Sequence, residues 1–469
     1  MPLTHRLQPG ELGRAQWAVF MLIIMIAILT QIWASLAVVS TRLLAEQSIA
    51  DGWTYITQAS TLQCCATLKN YIQYGLYPAF LSFFDFHGTG DWQSKNPLFA
   101  PVYFAQVVLL GASSGFLLFV AIWTSTGQFL WKSLLLLALS LLLLSPLVIL
   151  WPSFILVESL AISGLLLLAA CCLCADKWRN NLGVLALVFL TTTALMLMRD
   201  PLIFLAVALG VLITVNAVLS SSTNLQRIYV VSLAGLILAV AVTKIAPIQS
   251  TGRVGAFFFD DPILQKSDDE LRENFAGLIE YRDWLRARGA RTYVEFLATH
   301  PGYLLRSLWQ TPTVSRGEPF AADLDYSVAD LFSRPLPGFY GTAPWPKSMA
   351  SFLLAPFGWI IVLIYILVAA TNYIISLIRR HAASRVDMLA MSAMVGLFLS
   401  YHSDAWDVWR HTVPFVVTIY LALTLRAFDA AAWLAAMLRR KTAHDRGGDI
   451  ARHGPGGSLQ VSAGARPVQ

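Results

Sequence analysis

The chain has 469 residues, 57% of them hydrophobic and 13% charged, and its mean hydropathy is +0.62. A water-soluble protein of that length could not hide so much apolar side chain, so the composition excludes one and defines a polytopic membrane protein. The net charge of +6 calls for no nucleic-acid partner, because much of the Lys and Arg lies in short turns between apolar runs, where membrane orientation explains it.

Runs of about 20 apolar residues, the length that crosses a ~30 Å hydrocarbon core, recur along the chain. They lie near 18–39, 98–123, 132–150, 152–174, 181–198, 201–220, 227–246, 353–378, 387–401 and 413–436. The first is too long for a signal-peptide core and no small-residue cleavage site follows it, so it reads as a retained anchor. The cysteines, Cys64/Cys65 and Cys171/Cys172/Cys174, have neither metal spacing nor the pattern of a disulfide framework. They read as small apolar side chains.

Arg6/Arg14, Lys132, Lys177/Arg179, Arg227, Arg379/Arg380/Arg385 and Arg439/Arg440/Lys441 fall in alternate connections. The expectation is that both termini are cytoplasmic and that the connections 40–97, 151, 199–200, 247–352 and 402–412 are exterior. Three exterior connections enter the next span through proline, in "NPLFAP", "WPSF" and "RDPL", with Asn96 and Asp200 as suitable caps. The fold expected is an all-α polytopic membrane protein of about ten transmembrane helices, with exterior juxtamembrane helices. Residues 1–17 form the cytoplasmic N-terminus, 18–246 a transmembrane module and 353–437 the C-terminal transmembrane helices. Residues 247–352 form a larger, mainly helical exterior domain, in which "SDDE" (Ser267 to Glu270) opens one helix and "TYVEFLATHPGYLLRSLWQ" lies along the membrane surface. Residues 438–469 form a disordered cytoplasmic tail.

Ionisable residues are nearly absent from the spans, and Glu158 in "WPSFILVESLAISGLL" is the exception. A helix starting at Pro152 would carry it roughly 9 Å inward, where a carboxylate needs a polar cavity or a partner. A protonated Glu158 hydrogen-bonded to a neighbouring helix is the structural alternative. The other unusual polar residues fall on the exterior side: Asp51 in the first loop, Arg199 and Asp200 in a two-residue turn, Lys244 at the close of the seventh span, and His402, Asp404, Asp407, Arg410 and His411 in the last turn. Each has a plainer reading: Asp51 and Asp200 as helix caps, Lys244 as a snorkelling side chain. Trp53, Tyr55, Tyr77, Trp151, Trp406 and Trp409 sit at the same level and read first as an interfacial belt.

In this order the residues resemble the GT-C class of membrane glycosyltransferases. The matching elements are "DGWTYITQAS" in the first exterior loop, "YGLYPAFLSFF" (Tyr74 to Phe84), "WPSFILVES", the "MRDP" turn and "DVWRHTVPF" before the last span. The resemblance implies transfer of a sugar, outside the cytoplasm, from a polyprenyl-phosphate-linked donor to a glycan, lipid or protein acceptor. Gly52 and Trp53 follow Asp51 where many members place a second acidic residue, and that departure counts against a divalent metal.

Such a transfer needs a base for the acceptor, a stabilised phosphate leaving group and lateral entry for a lipid. Asp51 and Glu158 are the carboxylates expected to act in catalysis, Asp51 as general base. Arg199 and Arg410, then Lys244 and His411, are expected to hold the phosphate, with Tyr55 and Asp407 completing the substrate contacts. The competing enzyme reading is a polysaccharide polymerase or ligase with a diphosphate-linked donor, resting on Arg286, Arg288 and Arg291. A transporter fits less well, because the polar groups gather on one face. An Ala/Gly/Arg-rich tail without an ER-retention ending points to a bacterial inner membrane.

Overall fold

The computed structural model describes residues 13–43, 50–65, 67, 75–84, 100–125, 128–154, 157–178, 181–220, 223–250, 358–403 and 408–452, with short pieces between 280 and 332. Side chains of residues 41–43, 50–54, 65, 146, 244–250, 402–403, 408–410 and 439–452 lie outside the description. All regular structure among the described residues is helical: α1 (Arg14–Leu43), α2 (Ala50–Cys65), α3 (Leu76–Leu81), α4 (Ala100–Thr124), α5 (Phe129–Leu143), α6 (Pro146–Ile149), a 3₁₀ turn (Trp151–Ser153), α7 (Glu158–Lys177), α8 (Leu182–Met198), α9 (Leu202–Leu219), α10 (Asn224–Ser250), α11 (Gly358–Ile378), α12 (Arg385–Ser403) and α13 (Val408–Arg452).

Seven of these are long and apolar enough to cross a membrane, or eight if the bent pair α5–α6 is one span. Helix α8 is apolar but short at 17 residues, and α12, with Arg385 and Asp387 in its first turn, is outside the seven. Every expected apolar run therefore carries helix, while length and composition qualify fewer of them as spans than the ten expected.

The central helix is α7, buried nearly all round. Its small residues Ala161, Gly164, Ala169, Ala170 and Cys171 let neighbours approach closely, the usual basis of helix association where no water drives it. At Gly164 a Cβ would meet Leu195 Cδ2 at 2.8 Å, so a side chain there would oblige the end of Leu195 to move. Helices α1 and α11 lie at the periphery. On α1, Leu22, Ile26, Leu29 and Trp33 face outward while Phe20, Ile24, Ala34 and Val38 face the core, the 3.6-residue period of a lipid-exposed helix.

The span expected at 132–150 is broken. Helix α5 stops at Leu143 and the chain turns by 55° into α6 and the 3₁₀ turn, because Pro146 cannot donate the hydrogen bond that would continue the helix. Gln31 Nε2 donates to the Leu143 carbonyl at 3.0 Å and Trp151 Nε1 to the Leu147 carbonyl at 2.9 Å. Such donors are what make exposed backbone tolerable at membrane depth.

Long connections leave from one end of the bundle and short turns from the other. At the short-turn end Lys132 Nζ donates to the Ile122 carbonyl at 3.1 Å and Lys177 Nζ to the Trp123 carbonyl at 2.8 Å, so two lysines cap the C-terminus of α4. Asp176 receives Ser384 Oγ at 2.7 Å and the Arg385 amide at 2.8 Å. Asp387 receives Arg426 Nε at 2.9 Å, Arg426 Nη2 at 2.6 Å and the Tyr365 hydroxyl at 3.2 Å. This network ties α7, α11, α12 and α13 together.

Two local features differ from the expectation among the described residues. Leu331 and Phe332, expected in the exterior domain, are buried in the bundle core; Phe332 stacks on Trp359 at 5.5 Å, and its carbonyl accepts from the Tyr420 hydroxyl at 2.8 Å. Their two apolar side chains gain more from the core than from water. Most of 247–352, including "SDDE", lies outside the described residues. The tail expected to be disordered from 438 is helical to Arg452, since "LRRKTA" consists largely of good helix formers and extends a helix already nucleated.

Candidate active site

The site is built where α7 begins and α8 ends, at the long-loop end. Glu158 is the first residue of α7, not a residue two turns in, because Pro152 opens only a 3₁₀ turn and Phe154 is extended (φ −119°, ψ 147°). The expected depth of roughly 9 Å therefore does not hold; Glu158 lies at the helix N-terminus, where the macrodipole favours a negative charge. Arg199 follows α8 with an extended backbone (φ −153°, ψ 141°), and its side chain turns back over α7. Arg199 Nη1 donates to Glu158 Oε1 at 2.6 Å. With side chains 7% and 1% exposed, the two form a buried, charge-assisted bond.

A carboxylate and a guanidinium this dry cost several kcal/mol each to desolvate, roughly offset by their attraction only when geometry is good. The pair is thus weak evidence of a device for stability. His411, half-buried in the first turn of α13, lies within electrostatic reach of Arg199. Asp200 is exposed and precedes Pro201, the N-cap residue of α9.

Helices α2 and α3 pack beside this pair. Gln63 Nε2 on α2 donates to the Ser82 and Phe84 carbonyls at 2.8 and 2.7 Å, fastening the end of α3 to α2. Gly75, at φ 87°, supplies the backbone conformation that starts α3, one that L side chains rarely adopt. Tyr77 on α3 is wholly buried, packed edge-on against half-buried Tyr55 at 5.0 Å and stacked with Phe80 at 6.2 Å. Its hydroxyl has no hydrogen-bond partner among the described residues. Burial, aided by the neighbouring Tyr55, Glu158 and Tyr103, pushes its pKa well above the usual 10.0, so the phenol stays a neutral donor.

On the other side, Gln106 of α4 donates through Nε2 to the Phe154 carbonyl at 3.0 Å, just before α7, and its Oε1 has no partner among the described residues.

The remaining expected residues are positioned only in part. Asp51 stands in the first turn of α2, Lys244 near the end of α10 and Arg410 in the first turn of α13, with side chains outside the description. Asp407 lies outside the described residues. Of the connection expected at 402–412, α12 takes the residues to Ser403 and α13 those from Val408; His402, Arg410 and His411 belong to helix ends. Trp151 and Tyr77 do not form an interfacial belt, since both are fully buried. Cys64, which read as a small apolar side chain outside any disulfide framework, is disulfide-bonded, whereas Cys171, Cys172 and Cys174 are free. Among the described residues no group of three or more His, Cys, Asp or Glu could hold a metal ion.

Sequence reasoning chose Glu158 and Arg199 separately and did not pair them, though both end up at one end of adjacent antiparallel helices. It missed the buried phenol of Tyr77 and the amide of Gln106. A Gln inside an apolar run was the available signal for the second.

The class of protein these helices define is an all-helical, multi-pass membrane protein. No family model matches the chain and no curated protein matches it. Among solved structures it is similar to the archaeal oligosaccharyltransferase AglB from Archaeoglobus fulgidus, solved in complex with an inhibitory peptide and a dolichol-phosphate. The TM-score is 0.44 and the identity 12%, over 91% of this chain and 52% of that one, so the chain spans about half of that protein's length. A likeness at that level says nothing of chemistry, which rests on the residues above.

Proposed function

We propose that this chain is an integral membrane glycosyltransferase that moves a hexose or pentose from a polyprenyl-phosphate-linked donor to a glycan, lipid or protein acceptor at the outer face of the membrane. The observation that carries the reading is the buried Glu158–Arg199 pair at the end of α7 and α8, 2.6 Å apart. In the reaction the bond between the anomeric carbon and the phosphate oxygen breaks while an acceptor hydroxyl or amine bonds to that carbon. The acceptor's proton passes to a carboxylate, and the phosphate leaves carrying the electron pair.

Arg199 is the cation assigned to the leaving phosphate, because a preorganised guanidinium in a dry site stabilises developing negative charge far better than one in water. Glu158 orients Arg199, and Arg410, Lys244 and His411 are assigned to the same anion. Asp51 is assigned as general base, with Tyr55 and Asp407 on the substrate. Its place in the first turn of α2, the helix fastened to α3 beside the pair, supports that role.

The membrane is assigned as a bacterial inner membrane with both termini cytoplasmic. Lys132, Lys177, Arg379, Arg380 and Arg385 gather at the short-turn end, as expected for a cytoplasmic face.

The test is reconstitution in liposomes with a panel of radiolabelled undecaprenyl-phosphate sugars, following donor loss. Wild type is expected to consume one donor, and Asp51→Asn to bind it yet turn over at least about a hundredfold more slowly. An Asp51→Asn variant as active as wild type removes Asp51 from the chemistry. Failure of wild type to consume any donor overturns the transferase reading in favour of a diphosphate-linked polymerase depending on Arg286, Arg288 and Arg291.

A further inference from the structure

The ring of Tyr77 has an evident packing role and its hydroxyl does not. Edge-on contact with Tyr55 and stacking on Phe80 would be made equally by phenylalanine, which would bury no polar atom. The hydroxyl has no hydrogen-bond partner among the described residues, and a buried hydroxyl without one is rare in native proteins. The phenol is wholly buried and close enough to Glu158 to feel its charge. Arg199 is bonded to that same carboxylate, and Tyr77 shares one buried cluster with Val157, Leu160 and Met198, the chain neighbours of Glu158 and Arg199.

We propose that Tyr77 is a phosphate-binding residue of this site, its hydroxyl donating to an oxygen of the lipid-linked phosphate that Arg199 holds. The inference rests on the transferase reading and adds to it a neutral donor. Arg199 supplies charge; Tyr77 supplies direction, since an O–H can satisfy only an acceptor placed along it. A neutral phenol is the right donor here, because a second cation would leave an unpaired buried charge whenever the site is empty. The burial that holds the phenol protonated keeps it a donor throughout the physiological range. Helix α3 carries Tyr77 and is fastened to α2 by Gln63, so the hydroxyl sits on the element next to the one bearing Asp51.

The experiment measures binding of undecaprenyl phosphate, and of undecaprenol without phosphate, to the full-length protein in nanodiscs. Wild type, Tyr77→Phe and Arg199→Gln are compared, with melting temperature read alongside. For Tyr77→Phe the expected result is an unchanged melting temperature, an affinity for undecaprenyl phosphate lower by about tenfold, and undecaprenol affinity equal to that of wild type. A water-bonded or purely structural tyrosine would instead leave the phosphate affinity of Tyr77→Phe at the wild-type value, and that result overturns the proposal. If wild type binds undecaprenyl phosphate no better than undecaprenol, the anion-site reading falls and this inference with it. Loss of the phosphate preference in Arg199→Gln but not in Tyr77→Phe leaves the site reading standing and sinks Tyr77 alone.

Discussion

Each end of the bundle buries an arginine against a carboxylate, and the two ends differ in what surrounds the pair. At the short-turn end Asp387 accepts from Arg426 through both oxygens and from Tyr365 as well, while Asp176 accepts from Ser384 and Arg385. At the long-loop end Glu158 and Arg199 meet through one 2.6 Å contact, beside a Tyr77 hydroxyl and near a Gln106 Oε1 that find no partner among the described residues. Polar clusters that answer their own groups rigidify a fold, and those that leave groups over await something else. One end is a clamp between helices, and the other is where the proposed site lies.

The sharpest way to break this contrast is to neutralise the site while keeping its shape. The double variant Glu158→Gln/Arg199→Gln removes both charges at once, which in buried pairs is often nearly neutral for stability. It should therefore melt within a few degrees of wild type, roughly, yet lose at least about a hundredfold in donor turnover. Loss of stability with activity intact would make the pair structural and dissolve the contrast. At the clamp the expectation reverses. Arg426→Ala leaves Asp387 buried without its main partner and should cost about 2–3 kcal/mol, less than a fully buried pair because Arg426 is 34% exposed. Melting in detergent reads that cost, and turnover per folded molecule should not change.

Two smaller substitutions test the frame around both ends. Gly396→Ala places a methyl 2.6 Å from Phe415 Cε1 where α12 meets α13, and the ring must move, at about 1–3 kcal/mol; an unchanged melting temperature would mean that this contact yields freely. Asn181→Ala removes the side-chain acceptor that caps α8 at the Val184 amide, 3.2 Å away, at about 1 kcal/mol. Because α8 ends in Arg199, fraying its far end should lower stability slightly and leave phosphate binding unaltered.

Much of this was legible in the sequence because the membrane reads composition directly: each apolar run of span length became helix, and the basic turns fell at one end. Glu158 and Arg199 were legible as expensive residues too, since a lone charge in an apolar chain stands out. Their pairing was not, because it depends on how α7 and α8 pack and on the extended backbone that turns Arg199 back. The depth of Glu158 was misjudged for a local reason, as Pro152 starts a 3₁₀ turn as readily as an α-helix.

Length and hydropathy by themselves determined that this is a helical membrane protein, because the cost of exposing backbone and charge to lipid leaves few alternatives. They also fixed which residues were costly enough to need partners. Only the tertiary structure decided which partners those were. It joined positions 41 residues apart into one ion pair, drew Leu331 and Phe332 from a long connection into the core, and buried Tyr77 in place of leaving it at an interface. Pairings of that kind are set by helix packing, where a single missing Cβ or one broken turn shifts a side chain by ångströms, and no periodicity in the sequence records them.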